Sequence, residues 1–170
     1  MMRLFIAVFP PPEAIAHLEA AMSTLDIKLS DPGRWHLTLA FLGDVPEADP
    51  ATAALAEAEL NPVGVLEVRG GGRFGTVLWA GVEGDLAALT RLTRSIRRSL
   101  RTKRVPPDDK KFRPHMTLAR RTTAWQMAEA LTVLRGYAGP SWHAREVVLV
   151  RSELGPHPAY HRLSKVEIPR

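Results

Sequence analysis

Trp35-His36-Leu37-Thr38-Leu39-Ala40-Phe41-Leu42-Gly43 and Phe112-Arg113-Pro114-His115-Met116-Thr117-Leu118-Ala119-Arg120 each contain His-x-Thr-Leu, with the two histidines 79 residues apart. Each stretch reads as a strand. Side chains alternate with a period of two along a strand, so His36 and Thr38 share one face while Leu37 and Leu39 share the other. The same holds for His115 and Thr117 against Met116 and Leu118. Each strand therefore offers an imidazole and a hydroxyl on one side and an apolar surface on the other. The surroundings repeat as well: a His-x-Thr strand, a helix, then two strands, which marks an internal duplication. Two halves related by a pseudo-two-fold axis would bring both polar faces around one small volume.

Working outward, Leu4 to Phe9 is a short β-rich run, and Pro10-Pro11-Pro12 pre-sets a helix start with Ala14, Ile15, Leu18 and Met22 on one face. Asp31-Pro32-Gly33 signals a turn into the first His strand, expected over 35–42 and closed by Gly43-Asp44. A helix is expected over 50–60. Two strands, 63–69 and 76–82, surround Gly70-Gly71-Gly72, which suggests a hairpin with an open tip. Asp85 opens a long helix to about Arg101, with Leu86, Leu89, Leu92, Ile96 and Leu100 on its buried side. The loop 104–113 leads to the second His strand, a helix is expected over 123–134, and two last strands over 146–151 and 160–168 flank a Gly/Pro turn. The order mixes hairpins with strand–helix–strand units. It predicts an α+β fold of two pseudo-symmetric lobes, each an antiparallel sheet with outer helices, facing across a central cleft.

A chain of 170 residues, 45% hydrophobic and 24% charged with 12 Gly, fits one globular domain of two similar halves over 1–170 and excludes collagen-like and disordered classes. With no Cys there is no thiolate chemistry, zinc finger or disulfide. The six-residue apolar run at the start meets prolines and makes no export signal. No stretch approaches the ~18 apolar residues that span a bilayer, so the chain is expected off the membrane and in the cytoplasm. The net charge is +5, and Arg (18) far outnumbers Lys (5). The guanidinium fork suits phosphate oxygens, so the excess points to an anionic partner or else to the base composition of the genome.

Imidazole titrates near neutral pH, so of two copies one can serve as base and the other as acid. Phosphodiester cleavage uses both: a base takes a proton from the attacking oxygen and an acid supplies one to the departing oxygen. Two threonine hydroxyls can donate to the phosphoryl oxygens, where the charge gathers. Other chemistries fit less well. A metal site lacks a third His or an adjacent carboxylate. A serine hydrolase lacks Gly-x-Ser-x-Gly. No Gly-x-x-x-x-Gly-Lys loop marks a nucleotide-driven motor.

At these residues the chain resembles the two-histidine phosphoesterases, and within them the RNA 2′,3′-cyclic phosphodiesterases, historically called 2′-5′ RNA ligases. The likeness spans the chain: Arg3 to Val8, Pro12-Glu13, both His stretches, and Ser152-Glu153-Leu154 before Tyr160. It departs from the family at Asp31-Pro32-Gly33-Arg34. The resemblance implies metal-independent hydrolysis of a terminal 2′,3′-cyclic phosphate to a 2′-phosphate, without cofactor. It implies His36 as proton donor, His115 as proton acceptor, and Thr38 and Thr117 as phosphate ligands. Ligation of the same ends to a 5′-hydroxyl is the reverse reaction, and an RNA-binding module with a vestigial site is the non-catalytic rival. The expected partner is RNA ending in a 2′,3′-cyclic phosphate, as in tRNA processing, met by a monomer.

Arg120 follows the second motif directly, where a guanidinium can reach a phosphate, and Arg113 and Lys111 flank the other end. Arg91, Arg94, Arg98 and Arg101 follow helical spacing and form one stripe, either a solvated face or a contact to RNA backbone. Phe41, Phe74 and Tyr160 are candidates to stack on a terminal base, with Tyr160 the substrate-binding choice. Trp79, Trp125 and Trp142 read as structural, and His17, His143, His157 and His161 lack a paired context.

Overall fold

The computed structural model describes all 170 residues, Met1–Arg170. Eight strands form two four-stranded antiparallel sheets. In chain order the elements are β1 (Met2–Val8), α1 (Pro12–Met22), β2 (Leu37–Val45), α2 (Asp49–Glu57), β3 (Leu66–Phe74), β4 (Val77–Gly84), α3 (Leu86–Thr102), β5 (His115–Ala119), α4 (Ala124–Arg135), β6 (Ala138–Trp142), β7 (Glu146–Glu153) and β8 (Ala159–Glu167). The first sheet runs β2-β1-β7-β8 and the second β5-β4-β3-β6, so the two His strands are corresponding edges. The sheets meet along those edges. No helix is long and apolar enough to cross a membrane.

The equivalence of sheet positions, β2 with β5, β1 with β4 and β7 with β3, moves the repeat boundary. The repeating unit starts one strand and one helix before each histidine, as β1-α1-β2-α2-β3 and β4-α3-β5-α4 followed by β6 and β7. Each unit sends its last strand into the other sheet: β3 pairs with β4, and β7 with β1. The first helix of each unit crosses as well. α1 packs on β3 and β6, while α3 packs on β2 and on α2, which covers β7 and β8.

Packing follows the alternation. Leu4, Ile6, Val8, Leu37, Leu39, Leu66, Leu78, Met116, Leu118 and Leu149 point at the helices and join one cluster of 36 buried residues drawn from both sheets. The opposite face of the first sheet carries a separate patch, Phe5, Ala7, Val148 and Val150, against which Phe9, Phe41 and Tyr160 pack.

Local chemistry sets several boundaries differently from the pattern. β2 continues through Gly43 and Asp44 to Val45, because Gly43 adopts φ +70° and lets the edge strand bend rather than stop. The three consecutive glycines lie inside β3, at a bulge between Val68 and Gly71, and the hairpin tip is Gly75-Thr76. A Cβ on Gly71 would overlap the Leu134 side chain and the Trp79 carbonyl, so glycine is what lets α4 and β4 approach that closely. β6 has no apolar alternation to announce it; its Pro140 is tolerated because the strand is an edge.

Two reciprocal sets of bonds fix the inner edges. On the β5 edge, the Ser30 amide and hydroxyl both donate to the Leu118 carbonyl (2.8 and 3.1 Å), and the Trp35 indole N–H donates to the Ser30 hydroxyl (3.0 Å). On the β2 edge, Arg97 donates from Nε to the Leu39 carbonyl (2.9 Å) and from Nη1 to the Lys110 carbonyl (2.7 Å), while the Asp108 amide donates to the Phe41 carbonyl (2.8 Å). The segment leading into each histidine is thus tied to the strand carrying the other. Ile96, fully buried on α3 one residue before Arg97, presses the helix onto this arrangement. Ile96→Ala is expected to lower unfolding free energy by about 2–5 kcal/mol in urea titration, the usual cost of an aliphatic deletion that leaves a cavity.

Candidate active site

The repeat around the histidines is longer than four residues: Arg34-Trp35-His36-Leu37-Thr38-Leu39-Ala40 and Arg113-Pro114-His115-Met116-Thr117-Leu118-Ala119 both read Arg-x-His-x-Thr-Leu-Ala. The position two residues before each ring supplies the backbone carbonyl that holds it. His36 Nδ1 lies 2.6 Å from the Arg34 carbonyl, and His115 Nδ1 lies 2.6 Å from the Arg113 carbonyl. A carbonyl only accepts, so Nδ1 carries a hydrogen in both rings and Nε2 is left for chemistry. Asp31-Pro32-Gly33-Arg34 forms a 3₁₀ turn closed by the Gly33 amide donating to the Asp31 carboxylate (3.0 Å), and this turn presents the Arg34 carbonyl.

The expected alternation holds at both strands. Leu37, Leu39, Met116 and Leu118 are fully buried, while His36, Thr38, His115 and Thr117 are half-buried on the other face. His36 Nε2 is 3.0 Å from the Thr38 hydroxyl, which donates to the neutral ring and accepts from the charged one. Thr117 lies directly across from Trp79 on β4.

The two imidazoles have unlike surroundings. His36 stacks on Phe5 (centroids 4.7 Å), with Phe9 and the edge-on Tyr160 each at 5.5 Å. His115 makes T-shaped contacts with Phe74 (centroids 5.2 Å) and Trp79 (5.9 Å). Burial pulls the His36 pKa below its ordinary value of about 6.5. The bond to the Arg34 carbonyl opposes that pull, and the positive charges of His115 and Arg120 add to it. Arg120, exposed just beyond β5, therefore acts on the ring of the opposite sheet, while Tyr160 lies under the Arg34 guanidinium (5.5 Å). Beside His36 a hollow of about 380 Å³ opens between Phe9, Asp31, Gly33, Arg34, Tyr160 and Arg162. No group of three His, Asp or Glu side chains could hold a metal ion.

Some tryptophans depart from expectation. Trp79 contributes to the cleft rather than only to the core; its partner in the register, the glycine opposite it (Gly72), has no side chain and leaves the indole room. Trp125 is 74% exposed at the start of α4. The hand-holds around the rings, namely the Arg34 and Arg113 carbonyls, Phe5, Phe9 and Trp79, were not singled out from sequence. The repeated arginine two residues before each histidine was the available signal for the first pair.

The sequence model of the 2′-5′ RNA ligase superfamily matches residues 9–156. The chain belongs to that superfamily. Among its relatives, an RNA 2′,3′-cyclic phosphodiesterase of Thermus thermophilus is 38% identical over 98% of this chain and 90% of its own length. One from Aeropyrum pernix is 31% identical over 72% of this chain and 70% of its own. A crystal structure from Thermus thermophilus superposes with TM-score 0.76 at 34% identity, covering 98% of both chains. E. coli LigT, crystallised with ATP, shares the superfamily fold with TM-score 0.77 at 23% identity over 99% of both chains.

Because both Nδ1 atoms face carbonyls, ¹⁵N NMR above the histidine titration range is expected to report the Nδ1–H tautomer for His36 and His115 alike. An Nε2–H tautomer at either ring would contradict the orientation described.

Proposed function

We propose that this chain hydrolyses the 2′,3′-cyclic phosphate at RNA ends to a 2′-phosphate, without a metal, using His36 as proton donor and His115 as proton acceptor. The observation that carries the proposal is the matched pair of imidazoles, each held through Nδ1 by the carbonyl two residues before it, His36 directly before edge strand β2 and His115 at the start of edge strand β5, where the two sheets meet. The named activity of the relatives supports the substrate class.

In the proposed reaction His115 Nε2 takes a proton from water as its oxygen bonds to phosphorus. The bond from phosphorus to O3′ breaks, and His36 Nε2 delivers a proton to O3′. Thr38 and Thr117 hold the non-bridging oxygens, and Arg120 offsets the charge that builds on them. Tyr160 and Arg34 border the hollow beside His36, which has room for the terminal nucleoside. A 5′-hydroxyl in place of water would give a 2′-5′ joint by the same proton transfers. The 170 residues act as one catalytic unit of two similar halves, since each half supplies one of the two rings, and the reading has the chain working as a monomer in the cytoplasm on ends such as those of cleaved tRNA.

The lowered pKa of His36 bears on the direction of proton flow. Burial holds the ring toward its neutral form, whereas a donor must be charged. A bound phosphodiester anion supplies the missing counter-charge and raises the pKa. The opposite assignment, His36 as acceptor, draws on the same observation. NMR titration separates them: the His36 midpoint is expected below about 6.5 in the free protein and to climb when inorganic phosphate saturates the cleft. A midpoint that stays low with phosphate bound would exchange the two roles.

Turnover of a short RNA ending in a 2′,3′-cyclic phosphate, in EDTA, tests the whole proposal, with ³¹P NMR identifying the product. His36→Ala and His115→Ala are each expected to lose about 10²–10⁴-fold in kcat. Loss of wild-type turnover in EDTA, or a 3′-phosphate product, would overturn it.

A further inference from the structure

We propose that α3 and the segment after it form a docking surface for the RNA chain upstream of the reacting end; this rests on the reading of the cleft as an RNA-end phosphodiesterase site. The first observation is where the charge lies. Residues 86–107 contain seven cations, Arg91, Arg94, Arg97, Arg98, Arg101, Lys103 and Arg104, and no acid. The whole chain has an excess of only five, so everything outside this segment carries two more acids than bases. An arginine-rich base composition would spread its surplus along the chain. Here the surplus sits on one helix.

The second observation is what these groups do. Arg97 alone turns inward, to the carbonyls of Leu39 and Lys110, and Lys103 pairs with Glu57 at 2.6 Å. Arg91, Arg94, Arg98, Arg101 and Arg104 are exposed, and none lies within ion-pair distance of a carboxylate. Side chains spaced three and four residues apart fall in one row, so the four on α3 line up over about 15 Å of helix axis. Five unpaired guanidiniums held that close repel one another, and the arrangement is stabilised by an anion with repeated charges.

The third observation links the row to the cleft. Arg97 holds the Lys110 carbonyl against α3, so the exposed Lys110 and Lys111 are tethered between the arginine row and Arg113, whose carbonyl orients His115. Asp108 and Asp109 lie in the same loop and balance the two lysines there, with the Asp108 carboxylate acting on Arg97, so the net positive charge lies on the α3 row and Arg104. A polyphosphate backbone leaving the cleft on this side meets successive guanidiniums. An anionic membrane is the other polyanion such a row could meet. However, the apolar face of α3, with Leu89, Leu92, Ile96 and Leu100, is fully buried in the core, so the helix has nothing to insert between acyl chains.

The test replaces Arg94, Arg98 and Arg101 together by Gln, which keeps helix propensity and leaves the cleft untouched. Two substrates are compared: a nucleoside 2′,3′-cyclic monophosphate, too short to reach α3, and a long unstructured RNA ending in the same group. For the wild type, KM for the long RNA is expected to rise with salt. The triple variant should raise that KM at low salt, leave kcat and all mononucleotide constants unchanged, and flatten the log KM–log salt line by about two units, at roughly 0.7 per lost phosphate contact. An unchanged KM and salt slope for long RNA would overturn the docking surface, as would charge-dependent binding to phosphatidylserine vesicles with no effect of RNA length. If the wild type turns over neither substrate, the cyclic-phosphodiesterase reading fails; fluorescence anisotropy of the same RNA, labelled, still compares wild type with variant and decides the surface separately.

Discussion

Everything in the cleft depends on the bonds that tie each histidine's lead-in segment to the other histidine's strand. Ser30, itself held by the Trp35 indole, grips the Leu118 carbonyl on one side; Arg97 and Asp108 grip the Leu39 and Phe41 carbonyls on the other. Edge strands ordinarily leave a row of unpaired backbone groups. Here those groups are satisfied by the segments that must be positioned, so edge protection and site assembly are one event. Arg97 is a telling case, because desolvation holds its pKa below the ordinary arginine value while two carbonyls take its donors. A charge placed so close to the core is tolerated where its hydrogen bonds are met.

Upon this symmetric frame the side chains impose a difference. Both imidazoles have the same backbone partner at the same distance, yet one ring lies among Phe5, Phe9 and Tyr160 and the other in T-shaped contact with Phe74 and Trp79. Acid and base roles on one fold are separated when environments push two titrations apart. Duplication supplies two equal groups, and the aromatic neighbours make them unequal.

Much of this was legible in the sequence. The His-x-Thr-Leu pair carried the two strands, their polar faces and the expectation of facing sheets, because strand alternation is a local property that tertiary packing has no reason to alter here. Arg120 could be placed near the site from its position at a strand end, and Tyr160 from the family resemblance around the late strand. What escaped was non-local. That β3 joins the second sheet and β7 the first cannot be read from periodicity, since a strand pattern says which face is buried and not against whom. The Gly70-Gly71-Gly72 run suggested a turn, and only the approach of Leu134 and Trp79 shows why glycine is needed inside a strand. β6, short and bearing Gly139 and Pro140, owes its strand character to pairing with β3 alone.

The exchange of strands between the units has a consequence for how the protein can be divided. β1, whose register with β7 pairs Arg3 with Ser152 and Ala7 with Val148, is an interior strand built from the very beginning of the chain and closed by its last quarter. A ribosome releasing this polypeptide must therefore pass β7 before the first sheet can close, and so large a sequence separation slows folding. Cutting between the units would strip each sheet of the strand lent by the other. Neither unit keeps a complete sheet alone, so the two histidines come together in one assembly step.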